Sequence, residues 1–360
     1  MGFPICDLRF AISRHHESAM PITNHESEIT NDMIPTPLDV LAARQRLRDH
    51  LPPTPLHESA WLSRHLGARV SLKLESMQLT GSFKIRGALN ALLRVGTNDV
   101  GEIVTSSAGN HGRAIAYAAE MLGMRAMVFT PLDAAETKVA AIRRHGATLK
   151  QVPGRYDDAE LAAKRYTQET GATFISPYNH PDVVAGGGTI AFEILEVVPD
   201  VDTLVVPIGG GGLISGIAIA ARAVVPSIRV VGVEADASSA ISASLRNGRI
   251  TVIEPQPTIA DGLGGNVDPE TITFPIIQRH VDEVVTVSEP ELLDTIRGLV
   301  REEHLIAEGA GAAATAAVLA RKIGPGRRVV ALVSGANIDA ARLTQILNNG
   351  LRALGSRLGS

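Results

Sequence analysis

Lys84 is the residue of this chain best placed for covalent chemistry. It stands in Gly81-Ser82-Phe83-Lys84-Ile85-Arg86-Gly87, where an apolar strand over Val70 to Leu74 hands over to an alanine-rich helix expected at 85–94. Phe83 and Ile85 flank it with apolar groups, and the preceding turn is Thr80-Gly81-Ser82. Desolvation and the positive end of a helix dipole both disfavour the ammonium form of such a lysine. A partly neutral lysine is a nucleophile, and its product with an aldehyde is a Schiff base. Taken alone, the segment equally fits an exposed lysine in the first turn of a surface helix, so the rest of the chain must decide.

Three further segments share one form: a short apolar strand ends in a loop of small residues, and the loop opens a helix. They are EIVT-SSAGNHG-RAIAYAAEML, TLVVP-IGGGG-LISGIAIAA and RVVALV-SGAN-IDAARLTQIL. Ligands of open α/β sheets bind beyond the carboxyl ends of the strands, so three such loops suggest one cofactor held from several sides. Gly209, Gly210, Gly211 and Gly212 let successive backbone N–H groups turn toward one point at a helix start, which makes a phosphate cradle. No Gly-Lys-Ser/Thr follows, which excludes a Walker loop, and Glu234 comes late for a dinucleotide fingerprint. The plainer reading is a glycine turn that lets helix and strand pack closely. The loop Ser106 to Gly112 offers N–H groups for a carboxylate and the Asn110 amide for a ring hydroxyl; it also reads as an Asn/Ser cap beside a solvent-facing His111. Ser334 could hydrogen-bond a pyridine nitrogen without protonating it, or merely cap the next helix.

The elements that must position these loops alternate as a parallel α/β architecture requires. Strands are expected at 102–105, 126–130, 147–152, 173–176, 203–207, 229–234, 284–287 and 329–333. Helices are expected at 85–94, 111–122, 135–145, 157–169, 187–196, 212–222, 289–303, 310–322 and 338–349, with a capped helix at 36–50 and an extended connector at 51–56. The 360 residues suit two domains of ordinary size. Aromatics make up only 3% against 45% hydrophobic residues, so the core is aliphatic and alanine-rich.

A net charge of −4 offers no basic face for nucleic acid or anionic lipid, and the single Cys6 rules out an internal disulfide, in keeping with a reducing, cytoplasmic setting. The uncharged run 203–221 has the length of a membrane span, but Pro207 and the four glycines break it into strand, loop and helix. Residues 1–34 lack any period and read as a disordered extension, with Met20 and Met33 as alternative starts; His15-His16 and His25-Glu26 read as solvated surface rather than metal ligands.

Assembled in order, KLESMQLTGSFKIRGALNAL, SSAGNHG, VAGGGTIAFEIL, VPIGGGGLISGIA, AEGAGAAA and VSGAN resemble the fold type II, or tryptophan-synthase-β-like, family of pyridoxal phosphate enzymes. The match runs from about Ala43 to Leu347 and is closest to the serine/threonine dehydratase and serine racemase branch. The resemblance implies two three-layer α/β domains with mostly parallel sheets and the cofactor in the cleft between them. Residues 35–100 with 180–350 would form the large, discontinuous domain and 101–179 the small one. Lys84 would hold pyridoxal 5'-phosphate as a Schiff base and shuttle the α-proton, and Phe83 would flank the cofactor. Asn110 would face the ring hydroxyl, Gly209, Gly210, Gly211, Gly212 and Leu213 would bind the phosphate, and Ser334 would face the pyridine nitrogen. Ser107, Ala108, Gly109, Asn110 and His111 would bind the substrate carboxylate. The implied reaction is β-elimination of a small β-hydroxy-α-amino acid such as L-threonine or L-serine, and the implied assembly is a homodimer or homotetramer.

Two departures bear on that reading. Racemases of this family place a serine just before Gly-Asn-His as a second proton-transfer group; here it is Ala108, which carries no exchangeable proton. Racemase-like members also hold a divalent cation with a glutamate and an aspartate six residues later. Glu234 fits the first, but the later position is Ala240. A tight divalent site is therefore not expected, whereas a monovalent cation held by carbonyls fits. Serine racemase, a hydroxyectoine-pathway or β-hydroxyaspartate dehydratase, and a non-catalytic cofactor-binding protein are the alternatives on the same scaffold; the loop Asp261-Gly262-Leu263-Gly264-Gly265-Asn266 departs from the threonine dehydratases at the expected side-chain pocket.

Overall fold

The computed structural model describes residues 33–96 and 101–348. Of the expected N-terminal extension, residues 1–32 lie outside the described residues, while Ile34 already packs on the core.

Strands β1 (Leu56–Glu58), β2 (Arg69–Leu74), β3 (Glu102–Ser106), β4 (Arg125–Pro131), β5 (Thr148–Val152), β6 (Thr173–Phe174), β7 (Thr203–Pro207), β8 (Arg229–Ala235), β9 (Glu283–Val287) and β10 (Arg328–Val333) divide into two sheets. One has the order β1-β2-β10-β7-β8-β9 and the other β5-β4-β3-β6. Every pairing is parallel except β1 with β2. This is the α/β architecture with mostly parallel sheets that the alternation of elements requires.

The helices are α1 (Pro37–Leu47), α2 (Ala60–Leu66), α3 (Lys84–Val95), α4 (Asn110–Leu122), α5 (Glu136–Arg143), α6 (Tyr156–Thr170), α7 (Pro181–Val197), α8 (Gly212–Val224), α9 (Ala240–Asn247), α10 (Thr273–His280), α11 (Glu289–Glu302) and α12 (Gly309–Leu319), with a further helical stretch from 340. The larger sheet lies between two apolar layers. Ile190, Ile194, Ile217 and Ile277 cover one face, and Leu62, Leu292, Ile296 and Val318 the other. The smaller sheet is covered by α4 and α5 through Ile115 and Ile142, and by α6 through Ala159 and Ala163. Helix α3 shares the small sheet's core, with Ile85, Leu89 and Leu92 packed among Ile103 and Ile115, and also runs along α7.

The run 203–221 is β7, a loop and α8, and no helix among the described residues is long and apolar enough to cross a membrane. Helix α7 begins at Pro181, six residues before the expected 187. The glycines Gly186 to Gly188 stay inside it because they are contact points: a Cβ on Gly186 would lie 2.5 Å from the Arg86 carbonyl oxygen.

A buried ionic network fixes α3 from behind. Arg86, 2% exposed, donates to Glu75 at 2.7 and 2.8 Å and to Glu193 at 2.6 and 2.9 Å. Lys73 donates to the same Glu193 at 2.5 Å and to the Thr54 carbonyl at 2.7 Å. Two cations face two carboxylates, so the charge balances and each buried ion has partners, as burial demands. The neighbouring Arg86 and Lys73 hold the Glu193 carboxyl below its ordinary value against the opposing effect of burial.

Candidate active site

Lys84 is the first residue of α3, with Phe83 as N-cap. Part of its side chain keeps solvent contact, but Nζ lies deep within the protein. It donates to the Pro177 carbonyl at 2.8 Å and sits 5.1 Å from the centre of the Phe83 ring. Desolvation draws its pKa down to about 8, against a smaller upward pull from Glu308.

The other expected residues gather around it. The amide of Phe83 donates to the Ser334 carbonyl at 3.0 Å, and Ser82 bridges Gly335, so the end of β10 lies against the turn that carries Lys84. The Ser334 hydroxyl is buried and makes one long contact, 3.5 Å to the Ala310 carbonyl. Tyr178, next to the Lys84 acceptor Pro177, lays its ring on the glycine loop: a Cβ on Gly210 would lie 2.3 Å from Tyr178 Cγ. The Tyr178 hydroxyl accepts from the Asp268 amide at 2.9 Å, which pins the ring. Gly211 adopts φ +85° as the N-cap of α8, a left-handed conformation that suits glycine. The first amides of α8, from Gly212 and Leu213 onward, have no intrahelical acceptor and carry the dipole's positive end.

Asn110, the first residue of α4, is already engaged. Its Nδ2 donates to Glu308 Oε1 at 2.6 Å and its Oδ1 accepts from Asn337 Nδ2 at 2.6 Å. An amide nitrogen carries two hydrogens, so one donor is left for a ligand. Ser107 Oγ accepts from the Gly109 amide at 3.2 Å and shapes the loop that holds Ala108. The His111 imidazole, by contrast, is not solvent-facing. It is 2% exposed, its Nε2 lies 3.3 Å from the Ile175 carbonyl, and burial depresses its pKa to about 3. It is neutral at physiological pH, and its Nδ1 has no partner among the described residues.

Glu234 is engaged by neighbouring donors. It accepts from the amides of Ile241 and Ser242 at 2.9 and 2.8 Å and from the Ser242 hydroxyl at 2.5 Å, tying the end of β8 to α9. Among the described residues no group of three metal-ligating side chains gathers.

Sequence reasoning passed over Glu308, Pro177, Tyr178 and the Arg86 network as site-building residues. The signal for Glu308 was a single acid inside the small-residue motif AEGAGAAA.

The arrangement fits a phosphorylated aromatic aldehyde. It offers a depressed lysine for the carbonyl, a glycine cradle and helix N-terminus for the phosphate, a spare amide donor, and buried Ser82 and Ser106 hydroxyls with no partner among the described residues. Fold and site together define an α/β protein with a part-buried lysine beside a glycine loop that opens a helix. The model of the family described as "Pyridoxal-phosphate dependent enzyme" matches residues 47–335, and the chain belongs to that family. An L-threonine ammonia-lyase of Thermotoga maritima is 40% identical over 321 residues, 89% of this chain and 80% of that protein. The catabolic L-threonine dehydratase TdcB of Escherichia coli is 38% identical over 322 residues, 88% of this chain and 98% of that protein. The structure of maize serine racemase aligns with a TM-score of 0.81 at 32% identity, covering 88% of this chain and 99% of that one.

Proposed function

We propose that the chain is an ammonia-lyase that dehydrates a small β-hydroxy-α-amino acid, L-threonine or L-serine, to a 2-oxo acid and ammonia. The observation that carries this reading is the Lys84 amine, drawn to a pKa of about 8 beside the Tyr178-lined glycine loop. The T. maritima and E. coli relatives, both named for threonine, support the same substrate class.

In this reading Gly209, Gly210, Gly211, Gly212 and Leu213 hold the cofactor phosphate, Ser334 meets the pyridine nitrogen, the free Asn110 donor meets the ring hydroxyl, Phe83 flanks the ring, and Lys84 anchors it. When bound, pyridoxal phosphate supplies an electron sink for charge left on the substrate α-carbon. Amides of the loop Ser107 to His111, at the positive end of α4, orient the substrate carboxylate. The Lys84 amine, freed when the substrate amine takes its place, takes the α-proton, which requires its neutral form. The C–H bond breaks, the β-hydroxyl takes up one proton and leaves as water, Lys84 gives up the proton it gained, and the released enamine becomes an imine. Hydrolysis of that imine consumes one water and yields the 2-oxo acid and ammonia.

Ala108 favours elimination over racemisation, because a methyl group cannot return a proton to the opposite face. A panel of hydroxy amino acids assayed for ammonia and 2-oxo acid tests the proposal. Release is expected from L-threonine or L-serine; release from neither would defeat it.

A further inference from the structure

Glu308 is a buried acid that the reaction above leaves unused. It is the N-cap of α12, yet its side chain does not cap that helix. It turns instead toward Asn110. Among the described residues its one side-chain hydrogen bond comes from Asn110 Nδ2 at 2.6 Å. Its backbone amide donates to the Gly335 carbonyl at 3.1 Å, which locks it to the end of β10. Room for the carboxylate is made by the absence of a side chain at that same residue, since a Cβ on Gly335 would lie 2.2 Å from Glu308 Oε1.

A buried acid with a single donor is costly to ionise. Burial pushes this carboxyl up to about 7, eased by the Asn110 donor. The surrounding charges oppose one another. Asp261 raises the value further, Lys138 and Arg113 lower it, and Lys138 and Asp261 form an ion pair with each other. Gly335 also bridges Ser82, two residues before Lys84, so the carboxylate lies near the turn that carries the amine, and its charge favours the Lys84 ammonium. Arg113 meanwhile donates to Asn337 at 2.6 Å, and Asn337 to Asn110, so the amide that touches Glu308 is held from its other side.

We propose that Glu308 is a positioning residue of this site: it orients the Asn110 amide and presents a carboxylate to the turn that carries Lys84. The inference rests on the cofactor reading above. It makes the acid inside AEGAGAAA and the glycine inside VSGAN one device, a carboxylate and the space it occupies.

The test is the pH dependence of Lys84 reactivity. The full chain, unaltered or as Glu308→Gln or Glu308→Asp, is freed of cofactor and incubated with pyridoxal phosphate between about pH 6 and pH 10. Borohydride fixes the adduct, and peptide mass spectrometry counts it on Lys84. Glutamine keeps the size and an acceptor for Asn110 but removes the charge, so the midpoint falls by about one pH unit. Aspartate keeps the charge, so its midpoint stays near that of the unaltered chain. A Glu308→Gln midpoint that does not move, or a Glu308→Asp midpoint that falls as far, overturns the inference alone. Absence of any Lys84 adduct in the unaltered protein overturns the cofactor reading and this inference with it.

Discussion

Lys84 Nζ donates to the carbonyl oxygen of Pro177 at 2.8 Å. A carbonyl satisfies one N–H without supplying a countercharge, so it does little to offset the desolvation that lowers the pKa from 10.5 to about 8. The rate at which the amine reacts with pyridoxal phosphate is therefore expected to rise through about pH 8, where an exposed lysine needs a pH near 10. Stopped-flow absorbance across pH checks it; a midpoint at the exposed-lysine value would mean the site is open to water.

The glycine loop makes a second prediction. A Cβ on Gly210 would meet the Tyr178 ring at 2.3 Å, and that ring is pinned through the Asp268 amide. Gly210→Ala should cost about 1–3 kcal/mol of local packing. If the loop bears that strain, cofactor affinity falls about ten- to a hundredfold. Fluorescence titration with pyridoxal phosphate, beside a thermal melt showing an intact fold, measures the effect.

Much of this site was legible in the sequence because it lies where strands end and helices start. The runs of small residues at 106–112, 209–212 and 334–337 mark those junctions, and the lysine between Phe83 and Ile85 marks the fourth. What stayed hidden depends on long-range contact. Gly186 to Gly188 read as a helix start, and only the approach of α3 explains why they lie inside α7. The plainer reading of the loop, with His111 facing solvent, stayed open because the depth of α4 beneath it has no local signature. Glu308 and Asn110 are 198 positions apart, and no pattern in one sequence pairs them. Helices α2, α9 and α10 and the three-residue edge strand β1 escaped the sequence reading, since short elements carry too few residues to show a period.

The network around Arg86 makes a stability prediction. Removing the guanidinium leaves Glu75 without its bidentate partner and Glu193 with Lys73 as its one remaining cation among the described residues. Arg86→Ala should destabilise the fold by about 3–5 kcal/mol, the usual consequence of stranding a buried charge. The denaturant midpoint reports it. Because α3 begins two residues earlier with Lys84, cofactor binding should weaken as well.

Ala108→Ser should raise racemisation more than elimination. The new hydroxyl would stand in the loop that Ser107 shapes, where alanine offers no proton, and a positioned acid or base contributes about 10²–10⁴-fold. Chiral chromatography of L-serine incubations beside a 2-oxo acid assay reads the ratio. Racemisation by the unaltered enzyme as fast as elimination would contradict the role given to Ala108.

The most direct test of the account is borohydride reduction of the holoenzyme followed by peptide mass mapping, run beside turnover of the Lys84→Ala protein. The account predicts a pyridoxyl label on the peptide carrying Lys84, and a folded variant with neither the violet absorption band nor ammonia release from L-threonine or L-serine. A label on another lysine, or turnover undiminished in Lys84→Ala, would contradict it.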